Sequence, residues 1–387
     1  MHRRTFLSAL AAAPHLLAAA VEPAQRLRDI RRPLAITMWD FSWLERRWPG
    51  AGYENWDLVL DELVTRGYDA IRIDPYPHLV AAAPNKVWEL LPVWSVQDWG
   101  SPARNRVQVQ PGLNQFIRKC ADRNLRVALS TWFRQDVNNT RLKIHSAEEH
   151  GQIWKATLDS IAADGLLKTL LYVDLCNEFA LDIWAPFVPK KMLRASPRGV
   201  RWMRDAIAVV RRAYPDLDYT FSITSEWDTW RKQDVSMLDF LELHIWMANA
   251  SDFYSKKNVD YNYERFSLVG YEHLVKRAKP LYLSKPEYWQ TKLRDRIHLA
   301  ADWSKLSKRP LITTECWSLV DYKDWPLLDW DWLKELCAIG VTTAAATGRW
   351  VSMATSNFCG PQFAGMWRDI SWHKRLTEVI HNSAPTF

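Results

Sequence analysis

Glycine is scarce in this chain, at 13 of 387 residues, and none of it forms a Gly-rich turn behind a strand. The dinucleotide fingerprint and the Walker loop are therefore absent, as are a GxSxG elbow and an HExxH pair. Cysteine is sparse too. Cys120, Cys176, Cys316, Cys337 and Cys359 are odd in number, widely scattered, and make no CxxC or His/Cys cluster of zinc spacing. They read as small buried apolar side chains, with any disulfide optional. No metal and no organic cofactor is expected. Charge of one sign does not dominate: 51 Lys and Arg stand against 44 Asp and Glu, a net +7. The basic residues form no run flanked by aromatics, so the reading is a solvated basic surface without a nucleic-acid partner. Beyond the N-terminal segment no stretch reaches 18 apolar residues, and no membrane span is expected. With 48% hydrophobic and 25% charged residues, disorder and collagen-like repeats are excluded. The length suits one large barrel or two ordinary domains.

What the chain has in excess is tryptophan, 23 residues. Each indole N–H wants a partner when buried. An aromatic core must take most of them. The remainder are expected to line a cleft and stack on a flat apolar face, such as that of a sugar ring.

Residues 1–21 read as an address: Arg3 and Arg4, then an apolar stretch from Phe6 to Ala20 with small residues at its end. The order Arg-Arg-x-Phe-Leu resembles a twin-arginine export signal, and an ordinary secretory signal is the alternative. The expectation is an exported protein, periplasmic or extracellular, with residues 26–387 as one catalytic domain.

From there apolar runs and helical patterns alternate. Strands are expected at 34–39, 70–74, 126–133, 170–175, 219–223, 240–246, 311–315 and 341–346. Between them, Ser146 to Glu149 is a capping box, Pro197 follows a capping Ser196, and Gly340 closes a helix from Trp332. Eight such units point to an α/β fold, a single (β/α)8 barrel, with a long excursion between strands six and seven. An open doubly wound sheet is the rival, and it lacks its phosphate turn.

Function in such a barrel gathers at the C-terminal ends of the strands. Those ends carry Trp39 and Asp40, Arg72 and Asp74, Trp132, Asn177 and Glu178, Glu226 and Trp227, His244 and Trp246, Glu315 and Trp317, and Arg349 and Trp350. Glu178 and Glu315 each follow an apolar run, where a charge is costly to desolvate without partners or a task. They close strands on nearly opposite sides of the barrel. Two facing carboxylic groups suit glycoside cleavage, one protonating the leaving oxygen and the other attacking the anomeric carbon. The plainer alternative pairs each with Arg72, Arg349 or a lysine as a structural ion pair.

Asn177-Glu178 ending strand four, with Glu315 ending strand seven, resembles the clan A glycoside hydrolases, especially the cellulase-like family 5 type. The likeness runs from about residue 30 to the end as architecture and is specific only at short motifs. It implies that Glu178 is the acid/base and Glu315 the nucleophile of a retaining hydrolase acting on a β-linked oligosaccharide or polysaccharide. It also implies that Asn177 contacts the sugar's 2-hydroxyl and that Arg72 braces the nucleophile. Strand six of that group ends His-x-Tyr; here it reads His244-Ile245-Trp246, which marks a divergent branch. The stacking tryptophan of strand eight maps to Trp350. His244, Trp39, Trp132, Trp246 and Trp317 complete the expected substrate-binding set. The rivals are a barrel that holds a glycan without cutting it, and a hydrolase or lyase acting on a non-sugar ester or phosphate.

Overall fold

The computed structural model describes residues 25–94, 100–261, 267–326 and 328–387. The expected export segment, 1–21, lies outside them. Eight short strands form one sheet: β1 Leu34–Thr37, β2 Ala70–Ile73, β3 Arg126–Ser130, β4 Leu170–Asp174, β5 Tyr219–Thr220, β6 Leu241–Glu242, β7 Leu311–Thr313 and β8 Trp350–Met353. Hydrogen-bonded neighbours run β5-β4-β3-β2-β1-β8-β7-β6, all parallel. The seam between β5 and β6 is closed by a parallel bridge between Ile223 and Leu243. There the Ile223 amide donates to the Glu242 carbonyl and the His244 amide to the Ile223 carbonyl, each at 2.9 Å. The sheet is thus a (β/α)8 barrel. Its strands are largely apolar because helices cover the outside and packed side chains fill the inside, with Arg72 and Glu242 among the buried charged exceptions.

The surrounding helices are α1 Trp56–Thr65, α2 Val109–Ala121, α3 Ala147–Ala163, α4 Pro197–Ala213, α5 Leu268–Ser284, α6 Pro286–Ser307, α7 Asp331–Ala346 and α8 Ile370–His381. Their starts follow from local chemistry. Ser146 accepts from the Glu149 amide at 3.1 Å, and the Glu149 carboxylate reaches back to the His145 amide at 2.5 Å. Ser196 accepts from the Gly199 amide ahead of Pro197 in the first turn of α4. Trp154, Leu158 and Ile161 on α3 recur at helical spacing and are fully buried. An antiparallel hairpin, Val87–Leu90 with Asn105–Gln108, follows β2. Between β6 and β7 stand α5 and α6, and α6 packs on α7 in the helix ring.

Strand eight is not where the sequence suggests. Val341 to Ala346 is the second half of α7, and β8 is Trp350–Met353. The β-branched run Val341-Thr342-Thr343 resembles a strand, yet Leu333, Leu336, Cys337, Gly340, Val341 and Ala344 are buried at helical spacing. Gly340 is not a stop. A Cβ there would lie 2.4 Å from the Trp317 ring, so glycine lets the helix press on that indole. The turn is made by Gly348, whose φ is +66°.

Gly340→Ala separates these two functions of glycine. Helix propensity alone would favour alanine by about 1 kcal/mol. Overpacking against Trp317 costs about 1–3 kcal/mol. Urea unfolding is expected to show net destabilisation, and a stabilised variant would mean that the indole has room to move.

Candidate active site

Side chains alternate along β2, so Arg72 points into the barrel between its apolar neighbours Ile71 and Ile73. It is fully buried there. Its guanidinium grips Asp40 with two bonds of 2.7 Å, donates to Glu315 Oε1 at 2.6 Å and to Thr314 Oγ1 at 2.5 Å, and lies 3.7 Å from Glu242. Burial opposes its charge, but Asp40, Glu315 and Glu242 together hold it well above its ordinary basicity.

Glu178 follows β4 in left-handed backbone, φ 47°, with its amide donating to Ser222 Oγ at 2.8 Å. Its Oε1 lies 2.8 Å from His244 Nδ1, and its Oε2 accepts from the indole of Trp184 at 2.8 Å. His244 Nδ1 is also 3.5 Å from Glu315 Oε2, so one ring nitrogen bridges both carboxylates. One oxygen of each glutamate and a ring nitrogen of His244 all lie within 4.8 Å of one another. That spacing would suit a cation. Chemically the set is filled otherwise, because Arg72, His244 and Trp184 already place N–H groups on these oxygens.

The electrostatics divide the pair. Burial pushes the Glu315 carboxyl up to about 7, with Glu178 adding and with His244 and Arg72 opposing. Burial also acts on Glu178, but His244 and the Trp184 indole hold it below the usual carboxylate range. His244 is penalised by burial, yet Glu242, Glu315 and Glu178 raise it well above an ordinary histidine. The three titrate as a unit.

The pair opens onto a cleft of about 1070 Å³ over β4 to β7. Its walls are the segments after β4 (178–193), after β5 (224–226) and after β6 (246–254), with Trp132, Glu315 and Val320. Trp132 and Trp246 line it, and Trp132 donates its indole N–H to Asp40 Oδ2. Asn177 lies beside Arg72 at 3.4 Å, and its Nδ2 has no partner among the described residues.

Three expected platforms lie elsewhere. Trp350 opens β8 instead of closing it and is 1% exposed, with its indole bonded to Thr313 Oγ1 at 2.9 Å. The misplaced strand eight is the cause. Arg349 turns to Ser304 and Thr386, away from the cleft. Trp317 is buried against Gly340, with its N–H on the Ala354 carbonyl. Trp39 is 3% exposed and packs on Phe363, ring centroids 5.1 Å apart. Glu226 lines the cleft, but its carboxylate accepts from the amides of Arg194 and Ala195 and so ties down the loop after β4.

The sequence also left two residues unnoticed. Trp184 sits on an irregular loop, and only its contacts reveal it: it holds Glu178 and meets Trp132 at 4.6 Å and Trp94 at 4.8 Å. Glu242 gave a signal that could have been read, a carboxylate inside the apolar run Phe240-Leu241-Glu242-Leu243.

Residues 36–381 match the family model described as sugar-binding cellulase-like. The chain is similar to a solved structure from Parabacteroides distasonis ATCC 8503 described as a candidate glycoside hydrolase, at 53% identity and a TM-score of 0.89, covering 92% of this chain and 95% of that one. It shares its fold with an endo-beta-1,4-mannanase from Thermotoga petrophila, at 10% identity and a TM-score of 0.52 over 92% of this chain and 79% of that one. A family 5 mannosidase from Rhizomucor miehei has the same fold at 9% identity and a TM-score of 0.51, covering 87% and 86%. No curated protein matches the chain. With nearly its whole length matched, the chain belongs to the sugar-binding cellulase-like family.

Proposed function

We propose that this chain is an exported, retaining glycoside hydrolase that cleaves a β-linked glycan by double displacement. The observation that carries the reading is the approach of Glu178 and Glu315, with oxygens within 4.8 Å, at the wall of a tryptophan-lined cleft. Retaining enzymes hold their carboxyl groups about 5–5.5 Å apart, and inverting ones need about 6.5–9.5 Å to admit a water. Export is supported by the Arg3-Arg4-Thr5-Phe6-Leu7 pattern.

Glu315 is assigned the attack on the anomeric carbon. Arg72 touches it at 2.6 Å and stabilises its ionised form. Glu178 is assigned the proton transfers to the leaving oxygen and from the incoming water. Burial raises the Glu315 carboxyl while His244 and Trp184 hold Glu178 low, so reaction requires a proton to be delivered to Glu178. His244 Nδ1, at 2.8 Å from one and 3.5 Å from the other, is placed for that transfer. The unpartnered Nδ2 of Asn177 supports a bond to a sugar hydroxyl, because a buried amide without a partner is costly. Trp246 and Trp132 supply apolar faces for the ring. Two carboxylates complete this cycle without a cofactor.

Arg72 is expected to matter for folding as well as turnover. Arg72→Met leaves Asp40 and Glu315 as uncompensated buried charges, a loss of about 3–5 kcal/mol by chemical denaturation. Arg72→Lys retains the charge, but one ammonium cannot grip Asp40 in two places and reach Glu315. Its stability should fall in between.

Aryl β-glycosides test the roles directly. Glu315→Ala should lose turnover on every substrate, because no covalent intermediate forms. Glu178→Ala should lose about 10²–10⁴-fold on poor leaving groups and far less in the first step on activated ones. Azide should then restore turnover by replacing the activated water. Rescue of Glu315→Ala instead, giving a glycosyl azide of retained configuration, would reverse the two assignments. Glycan binding with no wild-type turnover would make the barrel a binding module.

A further inference from the structure

Glu242 is not among the residues that line the cleft. It is fully buried on β6, two residues before His244, so both side chains leave the strand on one face. Its Oε1 accepts from the Thr314 amide at 3.0 Å and the Thr314 hydroxyl at 2.5 Å. Its Oε2 lies 2.8 Å from His244 Nε2, an ion-pair contact whose angle is bent from that of a hydrogen bond, and no other donor among the described residues reaches that oxygen. The other charged and titratable groups around Glu242 are Arg72 on β2, Tyr172 and Asp174 on β4, and Cys316 after β7. His244 faces Glu242, Glu178, Glu315 and, at 3.4 Å from Nε2, Arg72 Nη1.

A neutral imidazole carries one N–H. Both ring nitrogens of His244 have a carboxylate oxygen at 2.8 Å. With Nε2 bare, the charge of a buried carboxylate would lie 2.8 Å from an unprotonated ring nitrogen. Arg72 Nη1 also reaches Nε2, at 3.4 Å, but the carboxylate charge at 2.8 Å outweighs that longer contact and favours the proton on Nε2, which leaves Nδ1 as the position that gains and loses one.

We propose that Glu242 is a positioning residue of the catalytic pair, fixing a proton on His244 Nε2 so that Nδ1 alone exchanges protons with Glu178. This rests on the assignment of Glu178 and Glu315 above. The proton on Nδ1 passes to Glu178 Oε1. The imidazolium becomes neutral imidazole with Nε2–H, and the carboxylate becomes the carboxylic acid that protonates the leaving oxygen. When the second step returns a proton from water to Glu178, Nδ1 can take it back. The charge of Glu242 favours the proton shared between Nδ1 and Glu178, so the reactive protonation state persists to higher pH than the pair alone would allow.

Glu242→Gln keeps the shape of the side chain and removes its charge. On an aryl glycoside, the basic limb of kcat/KM is expected to move down by about one pH unit or more, a tenfold loss on that limb, with little change in KM. Glu242→Asp retains the charge and should bring the limb back toward the wild type. A uniform fall in kcat with both limbs unmoved would mean that Glu242 only packs, and would overturn the proposal. The wild-type protein gives a second reading that needs no variant fold and no turnover: nitrogen NMR of ¹⁵N-histidine, with His244 assigned through His244→Asn. Nε2 should stay protonated from acid to alkaline pH while Nδ1 titrates. A neutral ring with its proton on Nδ1 and Nε2 accepting from Arg72 would also overturn it. Absence of glycoside turnover in the wild type would defeat the functional reading while leaving this ring measurement intact.

Discussion

The guanidinium of Arg72 is the contact on which the rest of the site depends. A fully buried cation is tolerated only when nearby carboxylates compensate for its lost hydration. Asp40 comes from the end of β1, Glu242 from β6 and Glu315 from the end of β7, and all three converge on a side chain from β2. Four strands are thus referenced to one charge. Asp40 also takes the indole N–H of Trp132, so the same network positions one wall of the cleft. Such a network works as a whole: removing one member leaves the others desolvated and unpaired.

The charges in this cage are unequal in number. Arg72 and His244 are the cations, and Asp40, Glu178, Glu242 and Glu315 are the carboxylates. Four negative charges cannot all persist in so small a buried volume against two positive ones, so a proton is shared. That sharing makes the cluster chemically useful, because an acid and a base with displaced ionisation stand side by side. The aromatic wall of Trp94, Trp132 and Trp184 lowers the local polarity and strengthens each of these interactions.

The barrel was legible because its strands are short apolar runs separated by helical patterns, and because Glu178 and Glu315 break those runs at their ends. Strand eight was misplaced because Val341-Thr342-Thr343 has strand composition within a helix, and because Gly340 serves close packing against Trp317. The tryptophans were harder to sort. Trp154, Trp289, Trp303, Trp317 and Trp350 are core fillers buried within 2% of completely, and nothing in their local sequence separates them from Trp132 or Trp246 at the cleft. The difference lies in tertiary partners. Trp154, Trp289 and Trp317 place their N–H on backbone carbonyls, whereas Trp132 and Trp184 place theirs on carboxylates of the active site. Charged residues are costly to bury without a reason, and the strand ends do bring Arg72, Glu178, His244 and Glu315 together, though Arg349 turns away. It was a poor guide for indoles, which a core accepts readily.

Trp246 shows how the site differs from the pattern it resembles. The pattern has a tyrosine there, whose hydroxyl this indole lacks. The indole instead sets its edge against the His244 ring, centroids 5.6 Å apart at 71°, and its N–H finds no partner among the described residues. The donors on Glu315 are then Arg72 at 2.6 Å and, more distantly, His244 at 3.5 Å. With no such hydroxyl, the N–H groups beside Glu315 are those of Arg72 and the imidazole, and the imidazole in turn meets Glu242. A bulky ring beside His244 also restricts how that side chain can turn, which a proton-exchanging nitrogen 2.8 Å from its partner requires. The ionisation of Glu315 therefore answers to burial and to the charged groups beside it, His244, Arg72 and Glu178.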